Sequence, residues 1–344
     1  MSSSQDVTLG SVLRSRGVVL DGGLATLLES RGHDLASSLW SARMLSDDPD
    51  ALLRAHVAFY AAGAEVATTA SYQASYEGFA AVGVDRSGTE ALLRRSCEVA
   101  GAARRARAEQ EAIVRAPATI GGRVGGQRPR WVAASVGPYG AVLADGSEYR
   151  GDYGLTVQEL RRWHRPRLQV LMQAVTDGLA DVLAIETIPS SAEAEAVLAE
   201  IAGTGVPAWL SYTCAEGRTR TGEPAEDAFG LARGLDEIIA VGVNCCRSDE
   251  AADLVASAVE VSGLPGVVYP NSGEGWDPVA RLWTGEPTFE PEMLAHWGAA
   301  GAGLIGGCCR VSPAQITSVA HLLAASGTVA QGGPGRRGGQ VTKP

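Results

Sequence analysis

Short apolar runs alternate with longer amphipathic stretches along most of this chain. Eight of the runs are predicted to be strands, because they are continuously apolar, as parallel strands are when both of their faces are buried. The stretches between them have the apolar spacing of helices that bury one face. The predicted strands cover residues 17–20, 64–69, 131–136, 181–185, 208–213, 238–243, 266–269 and 303–305.

This alternation predicts the fold class. Eight strand–helix repeats in one chain predict an α/β protein with a (β/α)8 TIM barrel. A doubly wound open sheet is the alternative, although it usually has fewer strands and a phosphate-binding loop after the first one. The G-x-G-x-x-G match at 301–306 runs into a predicted strand instead of opening a helix, so it does not support a dinucleotide site. We therefore expect one barrel domain over residues 1–325 and a disordered Gly-rich tail over 326–344.

Charge and hydropathy narrow the possible partners. The 344 residues include 29 Lys plus Arg and 39 Asp plus Glu, which gives a net charge of −10. This acidic balance, without basic runs, predicts no nucleic-acid partner and no anionic-membrane partner. The chain has neither an apolar run long enough to span a membrane nor a secretory signal at its start. The expected setting is the cytoplasm, and the expected state is a monomer or a small homo-oligomer.

Six cysteines are the chain's most informative residues. In a reducing cytoplasm they do not predict a disulfide framework. Cys97 and Cys214 are predicted to be buried filler. The other four form two adjacent pairs, at 245–246 and 308–309, directly after the sixth and eighth predicted strands. Active sites of these barrels form at the carboxyl ends of the strands, so the two pairs are predicted to converge there.

Converging thiols predict a metal site. Soft thiolate ligands select Zn²⁺, Cu(I) or iron–sulfur clusters. The C-x₂₋₄-C spacing of structural zinc sites is absent, which favours a catalytic zinc with three protein ligands and one open position. Neighbouring side chains point to opposite sides of a strand, but this alternation can break at a strand end. Cys308 and Cys309 can then both bind, and Cys245 is a better third ligand than Cys246. The alternative is that all four are small buried residues.

Several motifs at the predicted strand ends resemble the homocysteine S-methyltransferase family. The most specific are Gly-Gly-Cys-Cys after the last strand and Asn-Cys after the sixth. Pro-Tyr-Gly and Ala-Asp-Gly-Ser-Glu-Tyr are most similar to the branch that uses S-methylmethionine. In the family's order, the resembling segments are 20–26, 64–73, 135–140, 144–149, 186–189, 242–246, 269–274 and 306–310.

The resemblance implies an activity. One Zn²⁺ ion would be held by Cys245, Cys308 and Cys309, and a methyl group would pass from a sulfonium donor to the thiol of L-homocysteine, giving methionine. Metal binding would remove the thiol proton, because the thiolate is the nucleophile. S-methylmethionine is the first expected donor and S-adenosylmethionine the second. Selenocysteine or another thiol remains open as the acceptor, and a non-catalytic barrel that binds or senses zinc is the alternative from another class.

The resemblance also implies substrate contacts. Asp21 and Glu186 would lie near the homocysteine amino group, although Asp21 could instead be an ordinary helix N-cap. The carboxylate would be bound by backbone N–H groups of Gly22 and Gly23, or by hydroxyl groups. An amide after the sixth strand would orient the cysteine that follows it. The complete implied substrate-binding set is Asp21, Gly22, Gly23, Thr69, Ser135, Glu186 and Asn244.

Overall fold

Eight parallel strands form the central sheet. The computed structural model of the protein describes residues 7–35, 39–115, 128–277 and 282–326. The strands are β1 (Val18–Val19), β2 (Val66–Thr68), β3 (Trp131–Val136), β4 (Val182–Ile188), β5 (Ala208–Tyr212), β6 (Ile238–Asn244), β7 (Gly266–Tyr269) and β8 (Ala302–Ile305). The strand order is β1-β8-β7-β6-β5-β4-β3-β2, so the strands follow one another around the sheet in chain order.

The sheet closes between β1 and β2. The Glu65 N–H donates to Val19 O at 2.8 Å, and the Val19 N–H donates to a Glu65 carboxylate oxygen at 3.3 Å. Arg16 forms an ion pair with the same carboxylate, at 2.6 Å. These contacts join the two ends of the strand order, which confirms the predicted TIM barrel.

Helices cover the outside of the barrel, and their ends follow local capping rules. In the helix Pro49–Ala62, Asp48 accepts the Ala51 N–H as N-cap, Pro49 occupies the first turn, and Gly63 ends the helix with a left-handed backbone. The helices are α1 (Leu9–Leu13), α2 (Leu24–Ser30), α3 (Met44–Asp47), α4 (Pro49–Ala62), α5 (Tyr76–Ala80), α6 (Arg86–Arg115), α7 (Tyr139–Leu143), α8 (Val157–Thr176), α9 (Ser191–Ile201), α10 (Ala225–Gly230), α11 (Ala251–Ser262), α12 (Leu294–Ala299) and α13 (Pro313–Ser326).

Two apolar clusters divide the core. The larger one lies between the helices and the outer faces of the strands. The smaller one fills the barrel interior with residues of all eight strands, and Leu9, Val12 and Leu13 of α1 pack against it. Because side chains fill the interior, polar chemistry is left to the carboxyl ends of the strands.

The loops after β5 and β7 each carry a short antiparallel hairpin. One joins Cys214–Ala215 to Arg218–Thr219, and the other joins Gly275–Asp277 to Leu282–Thr284. Single 3₁₀ turns occur at Trp40–Arg43, Ser147–Tyr149 and Pro291–Met293. Within the described ranges, no helix combines the length and apolar character needed to cross a membrane.

The predicted strand ends agree with the structure to within two residues, with one larger error. β4 continues to Ile188 instead of ending at 185, with an irregular register between Ile185 and Ile188. This extension includes Glu186 and Thr187, which sequence analysis placed after the strand. The predicted tail beyond Ser326, the end of α13, lies outside the described residues.

Candidate metal and substrate site

Three cysteine sulfurs meet at the carboxyl ends of the barrel strands. Cys245 directly follows β6, and Cys308 and Cys309 lie in the loop after β8. The three Sγ atoms all lie within 4.8 Å of one another. The three thiols are free of disulfides, and Cys245 is only 6% exposed. The predicted convergence of the two cysteine pairs is therefore present, and it involves three of the four thiols.

The end of β6 fixes the position of Cys245. Its N–H donates to Tyr269 O on β7 at 3.3 Å, and its φ of +48° turns the chain out of the strand. The preceding residue, Asn244, accepts the Thr187 N–H at 2.7 Å and the Ser211 hydroxyl at 2.9 Å through Oδ1. Its Nδ2 donates to the Thr187 hydroxyl at 2.7 Å. Asn244 thus joins β4, β5 and β6 immediately before the ligand candidate.

A tight turn after β8 places the second cysteine pair. The Cys308 N–H donates to Pro270 O at 2.7 Å, and the Cys309 N–H donates to Asn271 Oδ1 at 3.1 Å. The Val311 N–H closes the turn on Cys308 O at 3.1 Å, and Arg310 has a φ of +64°. In this turn the strand alternation is broken, so both sulfurs reach the same centre.

Two glycines after β1 allow this turn to pack closely. A Cβ on Gly22 would lie 2.3 Å from Val311 O. A Cβ on Gly23 would lie 2.7 Å from Cys308 O and 3.0 Å from the Arg310 backbone nitrogen. The Gly23 N–H donates to Val311 O at 3.0 Å. This amide therefore already has a partner within the protein, in contrast to its predicted use for a substrate carboxylate.

The three thiols share protons. Hydrogen bonds from Cys308 and Cys309 hold the pKa of Cys245 well below its usual range, helped by hydroxyl groups of Thr187 and Tyr149. The same contacts with Cys245 raise the pKa of Cys308 and Cys309. The cluster thus favours one thiolate with two thiol donors, and a cation would replace those donated protons.

Asp21 joins the first two strands near the cysteines. Its carboxylate accepts the Thr68 N–H at 2.7 Å and the Thr68 hydroxyl at 2.9 Å. Burial raises its pKa to about 7, against those hydrogen bonds. The N-cap of α2 is Gly23, without a side-chain cap, so the N-cap interpretation of Asp21 is wrong. Asp21 is thus a deeply buried carboxyl group that two hydrogen bonds hold against Thr68.

Glu186 is the second buried acid at this end of the barrel. It accepts the Ser135 hydroxyl and is hydrogen-bonded by Tyr269. Burial is the largest cause that raises its pKa, to about 8, and the charges of Cys245 and Asp21 raise it further. Glu186 is therefore electrostatically coupled both to the cysteine cluster and to the other acid.

The remaining predicted contact residue, Thr69, bonds within the barrel wall. Its hydroxyl oxygen accepts the Ser135 N–H at 3.0 Å and bonds to the Ser71 hydroxyl at 2.8 Å. Because the Ser135 hydroxyl is bound by Glu186, Thr69 and Ser135 form a chain of contacts that ends on this acid. Their direct contact with a substrate stays a prediction.

Sequence reasoning missed four polar residues beside the cysteines. Thr187 and Tyr149 hydrogen-bond to Cys245, and Tyr72 hydrogen-bonds to Thr187. Glu148 is electrostatically coupled to Cys309 and Tyr72, and burial raises its pKa to about 7. All four lie inside the motif segments that carry the family resemblance, and this position is the sequence signal that could have identified them.

The other cysteines lie in the hydrophobic core. Cys97, Cys214 and Cys246 are at most 3% exposed and belong to the larger apolar cluster. Burial raises the pKa of Cys97 to about 11 and that of Cys214 to about 12, and it also raises that of Cys246. The prediction of filler for Cys97 and Cys214 is confirmed.

Fold and site together define a TIM-barrel protein with three cysteines poised to hold a metal beside two buried acids. The family model described as homocysteine S-methyltransferase matches residues 18–323. The chain belongs to the homocysteine S-methyltransferase family, and it is therefore a methyltransferase.

Named relatives agree with this membership. The chain is 42% identical over 324 residues to a homocysteine S-methyltransferase of Escherichia coli (strain K12), covering 92% of this chain and 98% of the relative. It is 38% identical over 311 residues to a selenocysteine Se-methyltransferase of Brassica oleracea var. italica, covering 88% and 87%. A crystal structure of the metallated homocysteine methyltransferase MmuM from Escherichia coli matches with a TM-score of 0.76 at 38% identity, covering 90% of this chain and 98% of that one.

Proposed function

We propose that this protein transfers a methyl group from a sulfonium donor to the thiol of L-homocysteine, with one Zn²⁺ held by Cys245, Cys308 and Cys309. The observation that carries the proposal is the meeting of these three sulfurs within 4.8 Å beside Asp21 and Glu186. A metallated form of the related MmuM supports a metal in this family. When bound, zinc supplies the Lewis acidity that removes the proton from a substrate thiol.

The donor set fits zinc. Tetrahedral zinc with Zn–S bonds of about 2.3 Å separates its sulfur ligands by about 3.8 Å, so the cluster needs to contract by no more than roughly 1 Å. Three ligands leave one tetrahedral position for a substrate sulfur. The cysteines already share a negative charge through hydrogen bonds, and zinc binding removes those protons. A set of three thiolates matches a soft cation better than Mg²⁺ or Ca²⁺.

The surrounding residues would orient homocysteine. Asp21 and Glu186 would bind its ammonium group, which supplies the positive charge that two buried carboxylates require. Its carboxylate would lie toward the Gly22 amide, because the Gly23 amide donates to Val311. With the amino-acid end fixed in this way, the sulfur is presented to the cysteine cluster for an in-line attack on the donor methyl.

The transfer itself is a simple displacement. The homocysteine sulfur forms a bond to the methyl carbon, while the carbon–sulfonium bond breaks and its electron pair stays on the donor sulfur. S-methylmethionine is the first proposed donor and S-adenosylmethionine the second. With S-methylmethionine, both products are methionine. No electrons are exchanged with an outside oxidant or reductant.

A donor panel with zinc quantification tests the proposal. We expect one zinc per chain and methionine formation from homocysteine plus S-methylmethionine, with slower transfer from S-adenosylmethionine. Betaine would serve as the comparison donor that is not a sulfonium. If the zinc-loaded protein showed no turnover with any sulfonium or betaine donor, the proposal would be defeated and the non-catalytic zinc-thiolate barrel would be favoured.

Selenocysteine is the second candidate acceptor. It is favoured by the 38% identity to a selenocysteine Se-methyltransferase over most of both chains. Sulfur and selenium can both bind a soft metal, so the three-cysteine centre accommodates either acceptor. Comparison of kcat/KM for homocysteine, selenocysteine and cysteine would rank the acceptors directly.

The proposed setting follows from the same chemistry. We place the enzyme in the cytoplasm, where its thiols stay reduced. Its partners would be small molecules, with neither nucleic acid nor a membrane, and its assembly state a monomer or a small homo-oligomer. The proposed domain is the barrel over 1–325, with the tail 326–344 outside it.

A further inference from the structure

Two oppositely charged side chains at the barrel mouth are not among the proposed homocysteine contacts. Glu148 lies in the 3₁₀ turn Ser147–Tyr149 after β3, and Arg220 follows the hairpin after β5. The two loops touch each other: a Cβ on Gly151 would lie 3.0 Å from Thr221 Cγ2 and 3.1 Å from Pro189 Cβ. Both charges are thus carried by neighbouring loops of the same face of the barrel.

Arg220 is held beside the metal centre. Its Nε and Nη2 donate to the Thr213 hydroxyl at 3.1 and 2.9 Å, and that hydroxyl donates to Cys245 O at 3.2 Å. The guanidinium also stacks on Tyr149, with Cζ 5.4 Å from the ring centroid. Among the described residues no carboxylate forms an ion pair with Arg220. A fixed guanidinium without an anionic partner is a ready site for a carboxylate.

Glu148 is the complementary group. Its Oε2 is buried and has no hydrogen-bond partner among the described residues. Arg150, the nearest cation in sequence, bonds instead to the side chains of Asp145 and Ser147. A buried carboxylate oxygen without a partner is costly, and a bound cation removes that cost.

Tyr149 lies between these two groups and the cysteines. Its ring lies under Arg220, whereas its hydroxyl bonds to Cys245. A ligand that spanned Glu148 and Arg220 would therefore lie against the aromatic residue that also contacts a metal-ligand candidate.

We propose that Glu148 and Arg220 bind the α-amino-acid end of the methyl donor, Glu148 its ammonium group and Arg220 its carboxylate. This inference rests on the proposed sulfonium-to-thiol transfer and specifies the donor class as an amino-acid sulfonium. It assigns Asp21 and Glu186 to the acceptor and Glu148 to the donor, so each substrate has its own carboxylates. The sulfonium group then lies on the cysteine side of Tyr149, whose aromatic ring attracts positive charge.

Two donor analogues test each charge separately. The (3-carboxypropyl)dimethylsulfonium ion lacks only the ammonium group of S-methylmethionine, and the (3-aminopropyl)dimethylsulfonium ion lacks only its carboxylate. For the wild type we expect kcat/KM to fall by about tenfold or more with either analogue, as for loss of one charge-assisted hydrogen bond. In Glu148→Gln, kcat/KM should be the same for S-methylmethionine and the first analogue, while the preference for S-methylmethionine over the second analogue remains. In Arg220→Gln, the preference over the second analogue should be lost and the preference over the first should remain.

Matched controls remove nearby charges that face solvent. Asp152→Asn lies on the same loop as Glu148, and its side chain is 76% exposed. Arg218→Gln lies in the hairpin that directly precedes Arg220, and its side chain is exposed. Both controls should keep the wild-type preferences, and all four variants should keep wild-type zinc content and homocysteine KM.

Specific outcomes overturn the inference. If the variants lost kcat/KM equally with S-methylmethionine and both analogues, or changed the homocysteine KM instead of the donor KM, then Glu148 and Arg220 would not bind the charged groups of the donor. Absence of methyl transfer from any sulfonium by the wild type would instead contradict the proposed function. In that case, calorimetry would measure the Kd of S-methylmethionine for the wild type and the two variants, which tests binding without turnover. Weaker binding to both variants would support the inference, and an unchanged Kd would overturn it.

Discussion

The two Cys-Cys pairs of this chain have the same sequence, but they place different numbers of sulfurs at the candidate site. In the pair after β6, Cys245 belongs to the cluster of three sulfurs, while Cys246 lies in the hydrophobic core at 3% exposure. In the pair after β8, both Cys308 and Cys309 belong to the cluster. Adjacency alone therefore does not decide whether a cysteine joins the cluster.

Backbone geometry explains the difference. Cys245 still bonds to β7 through its N–H, and its left-handed backbone then turns the chain so that Cys246 packs in the apolar cluster between the strands and the helices. Cys308 begins a turn that Val311 closes with a hydrogen bond, and the alternation of a strand no longer applies there. The number of ligands from each pair thus depends on how far past the strand end the pair lies.

Removal of a ligand should have the largest effect. Cys308→Ala or Cys245→Ala leaves two sulfurs, so we expect loss of stoichiometric zinc and a decrease in kcat/KM of more than about 100-fold, beyond the range seen when only a group supporting a ligand is removed. Atomic absorption and a methionine assay measure both quantities. Cys214→Ala is the control, because Cys214 is a buried cysteine outside the centre. A Cys308→Ala enzyme with full zinc and activity would refute the ligand assignment.

A change that displaces the β8 turn without removing a sulfur should have the next largest effect. In Gly23→Ala, the new Cβ meets backbone atoms of Cys308 and Arg310 that cannot rotate away. We expect a loss of about 1–3 kcal/mol in the free energy of unfolding, as for overpacking, and weaker zinc binding. Urea unfolding and zinc titration measure these effects.

The control for this substitution is Gly230→Ala, where the added Cβ meets only Val261 Cγ1 at an ordinary 3.4 Å. If Gly23→Ala bound zinc as tightly as Gly230→Ala, the packing of the two glycines against the turn would not be what positions Cys308 and Cys309.

The two halves of the centre also differ in their acids. Burial, and then the charge of Cys245, raises the pKa of Glu186. The β8 loop instead contacts Asp21, whose carbonyl oxygen accepts the Gly307 N–H at 3.1 Å. The pKa of Glu186 is raised from 4.5 to about 8. The folded state therefore binds the Glu186 proton more tightly than the unfolded state does. The contribution of this proton to the free energy of unfolding is lost as the pH rises from 4.5 toward 8.

Glu186→Gln should remove this pH dependence. At about 1.4 kcal/mol per pKa unit, the zinc-free wild type should lose roughly 2–4 kcal/mol more stability than the variant between about pH 5 and pH 8. Urea unfolding at several pH values measures the difference, with exposed Glu226→Gln as the control. Parallel pH profiles for wild type and Glu186→Gln would show that Glu186 titrates near its ordinary pKa.

The barrel fold and the meeting of the three cysteines could both be predicted from the sequence. Buried parallel strands leave continuous apolar runs, so the barrel and the end of the barrel that carries the site were both predictable. The convergence of Cys245 with Cys308 and Cys309 followed from their places after strands six and eight. These properties depend on order along the chain, which the sequence contains directly.

Other features depend on contacts between distant loops. The bonding of Asp21 to Thr68, rather than to α2, depends on how the first two strands meet. The continuation of β4 through Glu186 depends on Asn244 of β6, which binds the Thr187 backbone. Neither local propensity nor spacing reports such contacts, because each partner lies tens of residues away in the sequence.

Cys246→Ala should have the smallest effect and is the sharpest test of the comparison. Its side chain packs in the apolar cluster, while its carbonyl oxygen accepts the Asn271 N–H at 3.1 Å, a backbone bond that alanine retains. We expect wild-type zinc content and activity, with a stability loss of about 1 kcal/mol for the lost sulfur contacts. Because Cys246 adjoins Cys245, the matched Cys245→Ala variant removes the same atoms one residue earlier. Loss of zinc in both variants would mean that the centre uses four thiols, and that the backbone at the end of β6 does not separate the pair.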